Sequence, residues 1–211
     1  MNSVNILNYL SMVSNKNIFL NISMHLIVLI AIVSIYLLKD LKTKKYIFNG
    51  AVLVLFLSVT INAVVYGNPF HTVTFGILAI TSAVEMFKGK NNVSAPQMGI
   101  KTIIAFIFIL FGLWYPEFVN AGIFEHLVVS PVGIVPCPTL ITALGMLNLY
   151  YPNVNKMQYV TTVILGIVYG FIGTFTFGVY LDIVLFGIVA FSIYNIIGRR
   201  NIKKESMLNE I

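Results

Sequence analysis

Long apolar runs alternate with short polar or charged stretches along the chain. Runs of about 17 to 25 apolar residues are long enough for a helix to cross the hydrocarbon core of a bilayer. The pattern predicts seven such helices, of which the fourth is short. They cover approximately residues 19–38, 47–66, 70–87, 100–114, 132–149, 157–175 and 179–197. The segment before them, residues 1–16, is polar and alternating, and we expect an interfacial stub or disorder there.

The composition agrees with this pattern. Hydrophobic residues make up 58% of the 211 residues and charged residues 9%, against about 45–50% and about 25% in soluble domains. So few charges cannot cover the surface of a soluble protein. We therefore predict an all-α fold, a polytopic transmembrane helical bundle whose main partner is the lipid bilayer. No removable signal peptide is expected, because the first fifteen residues carry no Lys or Arg.

The basic residues indicate an orientation. Twelve of the 13 Lys and Arg residues lie in alternate connections of the seven-helix pattern. They are Lys39, Lys42, Lys44, Lys45, Lys88, Lys90, Lys101, Lys156, Arg199, Arg200, Lys203 and Lys204. Because cytoplasmic loops carry an excess of Lys and Arg, the N-terminus is predicted outside and the C-terminus in the cytoplasm. We expect one transmembrane domain over 1–198 and a short, charged cytoplasmic tail over 199–211. The net charge of +6 follows from this orientation and does not indicate nucleic-acid binding.

The only cysteine, Cys137, lies between Pro136 and Pro138, a few residues after Pro131. Proline lacks the N–H that closes a helical hydrogen bond, and its ring clashes with the preceding turn. The three prolines therefore predict a structural break in the fifth helix, with backbone carbonyls left without helical partners. In hydrocarbon such groups must be satisfied by protein, water or a ligand, so the break suggests a functional site around the thiol. A single thiol cannot form a disulfide within the chain.

Other polar residues are predicted at the same, outer end of the bundle as Cys137. The candidate ligand-binding set is Cys137, His126, His71, Asp182, Glu125 and Tyr66. Ionisable side chains at membrane depth usually face the bundle interior or a water-filled cavity. The alternative is structural, because His71 and Asp182 near an interface suit a helix cap equally well. In the other half of the bundle, we expect Glu85 to extend towards Lys88 and the inner surface.

Two functions from different classes remain open. Thiolate and imidazole ligands suit Cu(I) or Zn(II), so Cys137, His126 and His71 could hold a transition-metal ion. The protein would then bind or transport that ion or a small solute. Alternatively, it is a non-catalytic membrane scaffold or accessory protein, in which the prolines only shape a helix. A thiol-dependent enzyme is a weaker third hypothesis, because the sequence does not show a base beside the thiol.

A pair of small residues, Gly166 and Gly170, lies in the sixth predicted helix. Glycines four residues apart let two membrane helices approach closely. We favour close packing within the monomer over the face of a weak homodimer.

Several motifs in the chain form a recognisable set. They are Tyr115-Pro116, Glu125-His126, Gly133 followed by Pro136-Cys137-Pro138-Thr139, then Thr142 and Gly145. Further matches are Tyr66 with Asn68-Pro69, and Val179 with the segment from Asp182 to Leu185. The set resembles the motifs of a prokaryotic multi-pass membrane family that has no assigned function, although that family more often has Gly at the position of Glu125. The resemblance implies a multi-pass protein of the prokaryotic cell membrane and a role for Cys137, and it implies no reaction.

Overall fold

The structure is a computed structural model that describes residues 3–88 and 93–208, with side chains described from Asn5 to Gly198 within those ranges. In these ranges the regular structure is helical and includes no β-strand. The helices are α1 (Ser3–Lys16), α2 (Ile18–Leu37), α3 (Leu41–Val65), α4 (Pro69–Lys88), α5 (Ile100–Trp114), α6 (His126–Val129), α7 (Pro136–Tyr150), α8 (Lys156–Phe171) and α9 (Ile183–Leu208). A π-turn, Ile172–Thr176, follows α8, and a 3₁₀ turn, Tyr180–Asp182, precedes α9.

Within the part of the chain that the structure describes, five helices are long and apolar enough to cross a membrane. They are α2, α3, α4, α8 with its π-turn, and the 3₁₀ turn with the first part of α9. Their outward faces carry large apolar side chains, such as Ile30 of α2 and Ile80 of α4, which are 59% and 65% exposed. The all-helical class and the membrane character are therefore confirmed. The count of seven spans and the orientation stay predictions, because α5 and α7 have only 15 residues each, about 22 Å of helix against a hydrocarbon core of about 30 Å.

Helix α7 forms the centre of the bundle, and all 15 of its residues are buried. It packs against α3, α5, α8 and α9. Two glycines allow α5 to approach it closely: a Cβ at Gly112 would overlap the hydroxyl of Thr142, and a Cβ at Gly145 would lie 3.1 Å from the backbone oxygen of Ala105. Because protein surrounds α7 on all sides, neither its short length nor the non-helical segment before it exposes backbone to lipid.

The break predicted at Pro136 and Pro138 lies elsewhere. These two prolines begin α7, and the non-helical backbone is the preceding turn from Pro131 to Val135. The reason is that the first N–H groups of a helix have no partner within the helix, so proline costs little there. Thr139 closes the turn instead, since its Oγ1 accepts from the N–H of Gly133 at 2.8 Å and donates to the carbonyl of Val135 at 2.6 Å.

Of the two alternatives for the N-terminal segment, disorder is wrong for the residues described there, and an interfacial position stays a prediction. These residues form helix α1, whose Leu10 and Val13 are buried against Ile134 and Val135 in the turn before α7. Asn15 extends this contact, because its Nδ2 donates to the carbonyl of Phe118 at 2.8 Å. Apolar residues of this segment therefore pack on the turn before α7.

Two further expectations concern the packing. Gly166 and Gly170 of α8 face Val189 and Phe186 of α9, so the close approach is between helices of one chain. Glu85 was expected at the inner surface, but its side chain is fully buried and its Oε2 accepts from Asn155 Nδ2 at 2.6 Å. Ionisable side chains inside a membrane bundle are usually paired with polar groups of that bundle, and Asn155 pairs with Glu85 in this way.

The predicted C-terminal tail is also partly helical. Its backbone continues α9 as far as Leu208, while residues 209–211 lie outside the described residues. The connection at residues 89–92, which includes the predicted inner residue Lys90, lies outside them as well.

Candidate functional site

Cys137 and Asp182 meet at the end of the bundle where α7 begins. The thiol donates to Asp182 Oδ2 at 3.1 Å, and the hydroxyl of Tyr115 donates to Asp182 Oδ1 at 2.5 Å. All three side chains are buried, with exposed fractions of 7%, 2% and 0% for Cys137, Asp182 and Tyr115. Both oxygens of one carboxyl group are thus held by donors from two other segments, α7 and the end of α5.

An irregular connection brings Asp182 to this position. Helix α8 widens into the π-turn, and the chain then reverses through Gly178, at φ +70°, into the 3₁₀ turn that contains Asp182. Gly173 in the π-turn leaves the space for the carboxyl group, because a Cβ there would lie 2.6 Å from Asp182 Cγ. Single π-turns inside membrane or soluble helices occur often at functional sites.

A small cavity lies beside the thiol and the carboxyl group, and we call it the cysteine cavity. Its volume is about 20 Å³, and its walls include Cys137, Asp182, His71, Tyr169 and Leu10. Such a volume holds about one water molecule. Helix α1 contributes Leu10 to one wall of the cavity.

A larger pocket of about 360 Å³ adjoins the cysteine cavity, and we call it the aromatic pocket. Its walls include Tyr9 of α1, Tyr66, Phe70 and Phe177, and the rings of Tyr9 and Tyr66 meet edge to face at 5.8 Å between centroids. Three residues line both spaces, namely His71, Ile172 and Phe177. The aromatic pocket and the cysteine cavity therefore share a wall that includes His71.

His71 is oriented by the turn that starts α4. Asn68 Oδ1 accepts from the N–H of His71 at 3.1 Å, and Asn68 Nδ2 lies 3.1 Å from His71 Nδ1. With Nδ1 accepting from the amide, a neutral ring carries its proton on Nε2. The ring also lies 5.5 Å from that of Tyr169, whose hydroxyl is 2.6 Å from Thr74 Oγ1. His71 is thus a rigid group between the two spaces.

The structure divides the predicted site residues into two groups. Cys137, Asp182, His71 and Tyr66 line the cysteine cavity or the aromatic pocket. His126 and Glu125 do not, because α6 folds onto α2 and α5. The carboxylate of Glu125 accepts from the N–H of Gly122 at 2.7 Å in an exposed turn.

The three-ligand metal site is not assembled. Within the described ranges, no three His, Cys, Asp or Glu side chains come close enough together to hold a metal ion. His126 is buried where α6 packs on α2 and α5, so Cys137 and His71 lack the third ligand of the predicted metal site.

Several residues of the site were not predicted as functional. Tyr115 entered the sequence analysis only through the Tyr115-Pro116 motif, yet it is fully buried and binds the carboxyl group of Asp182. Tyr169, Gly173 and the α1 residues Tyr9 and Leu10 were also missed. The sequence carries little signal for them, since their roles depend on contacts between segments far apart in the chain.

Comparisons with protein-family models, curated protein sequences and solved structures found no significant match. The likeness of the Pro136-Cys137-Pro138-Thr139 motif to a membrane family therefore stays a prediction, and the function must be argued from the geometry.

Leu10 of α1 lies in the wall of the cysteine cavity, so α1 should limit access to the thiol of Cys137. Leu10→Ala removes a buried side chain, 6% exposed, from the wall between α1 and the cysteine cavity. Because a Leu-to-Ala change in a packed site costs about 2–5 kcal/mol, α1 should open more often. We expect N-ethylmaleimide to modify Cys137 at least about tenfold faster, since a factor of ten needs only about 1.4 kcal/mol of that loss. Met12→Ala, at a side chain 51% exposed on the same helix, should leave the rate unchanged. Equal rates in the wild type and both variants would show that α1 does not cover the thiol.

Proposed function

We propose that this chain is an integral membrane protein that binds a small organic solute, with a preference for cations, in the aromatic pocket as the first step of transport. The observation that carries the proposal is the aromatic pocket itself, whose wall at His71 is shared with the cysteine cavity. Ligand pockets are typically concave and mostly apolar, with a few polar groups that set orientation. The aromatic pocket has this character, with the polar groups of Asn68 and His71 at one end.

The preference for a cation follows from two features. Rings of Tyr9, Tyr66, Phe70 and Phe177 line the pocket, and aromatic faces attract cations by about 0.5–2 kcal/mol. Asp182 lies just beyond His71, and Glu117 is near enough to act on it electrostatically. Low-dielectric walls strengthen the field of such acidic groups, which favours a positively charged solute over an anion.

Within this proposal, the chain crosses the cell membrane of a prokaryote with seven helical segments. Its N-terminus and the aromatic pocket face outward, as the placement of the basic residues favours. Helices α5 and α7 count as short spans. A buried half-helix such as α7, preceded by irregular backbone, is a common element of transporter binding sites.

The alternatives have less support. A thiolate nucleophile is favoured by a cationic neighbour or a base, whereas the hydrogen-bond partner of Cys137 is the carboxyl group of Asp182. A scaffold that binds a partner through Gly166 and Gly170 would need that face, which is occupied by α9. Neither reading accounts for the aromatic pocket.

Three matched probes test the proposal, namely benzylamine, benzyl alcohol and benzoate, which share one ring and differ in charge. Saturation-transfer NMR on the purified protein in detergent would measure their binding. We expect benzylamine to bind about tenfold more tightly than benzoate, and Asp182→Asn to reduce its advantage over benzyl alcohol. Tyr66→Ala should weaken benzylamine about fivefold, a change of about 1 kcal/mol.

Tyr46→Ala supplies the control for loss of a tyrosine, since Tyr46 lies at the start of α3, 39% exposed, and does not line the pocket. Binding of none of the probes, or tightest binding of benzoate, would contradict the proposal. Equal losses in Tyr66→Ala and Tyr46→Ala would show that the probes bind elsewhere.

A further inference from the structure

A second recess lies at the opposite end of α7, and we call it the polar cleft. Its volume is about 600 Å³. One wall is the segment that leads into α5, from Ser94 to Thr102, and the other carries Asn148 and Tyr150 of α7 with Asn195 of α9. Cys137 and Tyr150 lie near opposite ends of α7, so this cleft is separate from the aromatic pocket and the cysteine cavity.

Two residues that line the cleft each have a buried polar atom without a partner among the described residues. The atoms are the hydroxyl oxygen of Tyr150 and Oδ1 of Asn195, whose residues are 5% and 4% exposed. The amide of Asn195 is held in its orientation by Asn148, whose Oδ1 accepts from Asn195 Nδ2 at 3.0 Å. The same Oδ1 also accepts from the hydroxyl of Tyr159 at 2.7 Å. Buried polar atoms are nearly always hydrogen-bonded in native proteins, to protein, water or ligand. These two atoms therefore indicate a ligand that offers both an acceptor and a donor.

The start of α5 forms the facing wall and favours an anion. Gly99 is its N-cap and provides no side-chain cap, so the first N–H groups of a 15-residue helix are uncapped at the cleft. Such N–H groups, together with the helix dipole, bind phosphate and carboxylate groups. Lys101 also lines the cleft, with its Nζ 5.7 Å from the ring centre of Tyr194. A positive charge thus lies beside the helix terminus.

We propose that the polar cleft binds a phosphate ester that carries a neighbouring hydroxyl group. The phosphate accepts from the first N–H groups of α5, from Lys101 and from the Tyr150 hydroxyl. The neighbouring hydroxyl donates to Asn195 Oδ1, which an inorganic anion without a proton would leave unsatisfied. A glycerophosphate unit has this chemistry, and it occurs both as a free ester and as the headgroup of phosphatidylglycerol.

Two experiments distinguish the free ester from the lipid headgroup. Purified protein in phosphatidylcholine nanodiscs is titrated with glycerol 3-phosphate by calorimetry. In parallel, native mass spectrometry compares retention of phosphatidylglycerol with that of phosphatidylcholine. Binding of glycerol 3-phosphate indicates a free ester as ligand, and selective retention of phosphatidylglycerol indicates a lipid headgroup. Either result supports the proposal, and absence of both overturns it.

Binding measurements on variants distinguish a specific site in the polar cleft from a general attraction of anions to basic residues on the surface. Tyr150→Phe keeps the ring that packs edge to face on Phe48 and removes only the hydroxyl. We expect it to weaken binding about fivefold, and Lys101→Ala about tenfold, because each variant removes a group that would bind the charged phosphate. Lys39→Ala removes an exposed lysine outside the cleft and should change binding less than about twofold. Unchanged binding in Tyr150→Phe, or equal losses in Lys101→Ala and Lys39→Ala, would overturn the proposal.

Discussion

Asp182→Ala should lower the free energy of unfolding by about 3 kcal/mol, because it leaves two buried donors without an acceptor and each costs about 1–3 kcal/mol. The donors are the thiol of Cys137 and the hydroxyl of Tyr115. For a chain of this size the loss corresponds to a melting temperature about 6–12 °C lower. The measurement is thermal unfolding of the purified protein in one detergent.

Two comparisons show whether the effect belongs to this network. Glu125→Ala removes an exposed carboxylate at the same end of the bundle and should change the free energy of unfolding by about 0.5 kcal/mol or less. The triple variant Asp182→Ala, Tyr115→Phe, Cys137→Ala removes the donors together with the acceptor. It should recover much of the loss, since removing both partners of a buried hydrogen bond is often nearly neutral. Equal effects of Asp182→Ala and Glu125→Ala would refute the network.

Gly112→Ala should destabilise the protein by about 2–3 kcal/mol, through overpacking between α5 and α7. The added methyl group would overlap the hydroxyl of Thr142 and lie 3.0 Å from the backbone oxygen of Pro138 and the backbone nitrogen of Thr142. Backbone atoms cannot move aside as a flexible side chain can, so α7 as a whole must shift. Because Pro138 is beside Cys137, the variant should also weaken benzylamine binding.

The matched control is Gly50→Ala in α3, where nothing lies within 4 Å of the added Cβ. That change should stabilise the helix by up to about 1 kcal/mol, since alanine is the better helix former. The two alanine variants should therefore shift the melting temperature in opposite directions. A lower melting temperature in both, by similar amounts, would show that the close contact between α5 and α7 is not the cause.

The membrane helices could be predicted from the sequence because length and apolarity are local properties. The fourth predicted helix, 100–114, matches α5 at both ends, and the predicted segments 19–38 and 70–87 differ from α2 and α4 by one residue at each end. The start of α7 was predicted four residues too early. Apolar residues continue through the turn before Pro136, and only the fold shows that α1 covers that turn.

The site was predicted less well, since it depends on how distant segments meet. The sequence identified Cys137, Asp182 and His71 as unusual, and they line one cavity. It could not show that Tyr115 would replace His126 as their neighbour. The connection after α5 determines which residue is the neighbour. It places Tyr115 inside the bundle, whereas His126 lies on α6, which packs on α2 and α5.

The central claim is that a cationic solute enters the aromatic pocket from the outer face and binds next to the cysteine cavity. Because Cys137 is the only cysteine, its modification by a membrane-impermeant cationic methanethiosulfonate can be compared in intact cells and in inverted membrane vesicles, with Cys137→Ser as the blank. The account predicts modification in intact cells only, slowed about fivefold by benzylamine at several times its dissociation constant. Modification in inverted vesicles alone, or a rate that benzylamine does not change, would contradict it.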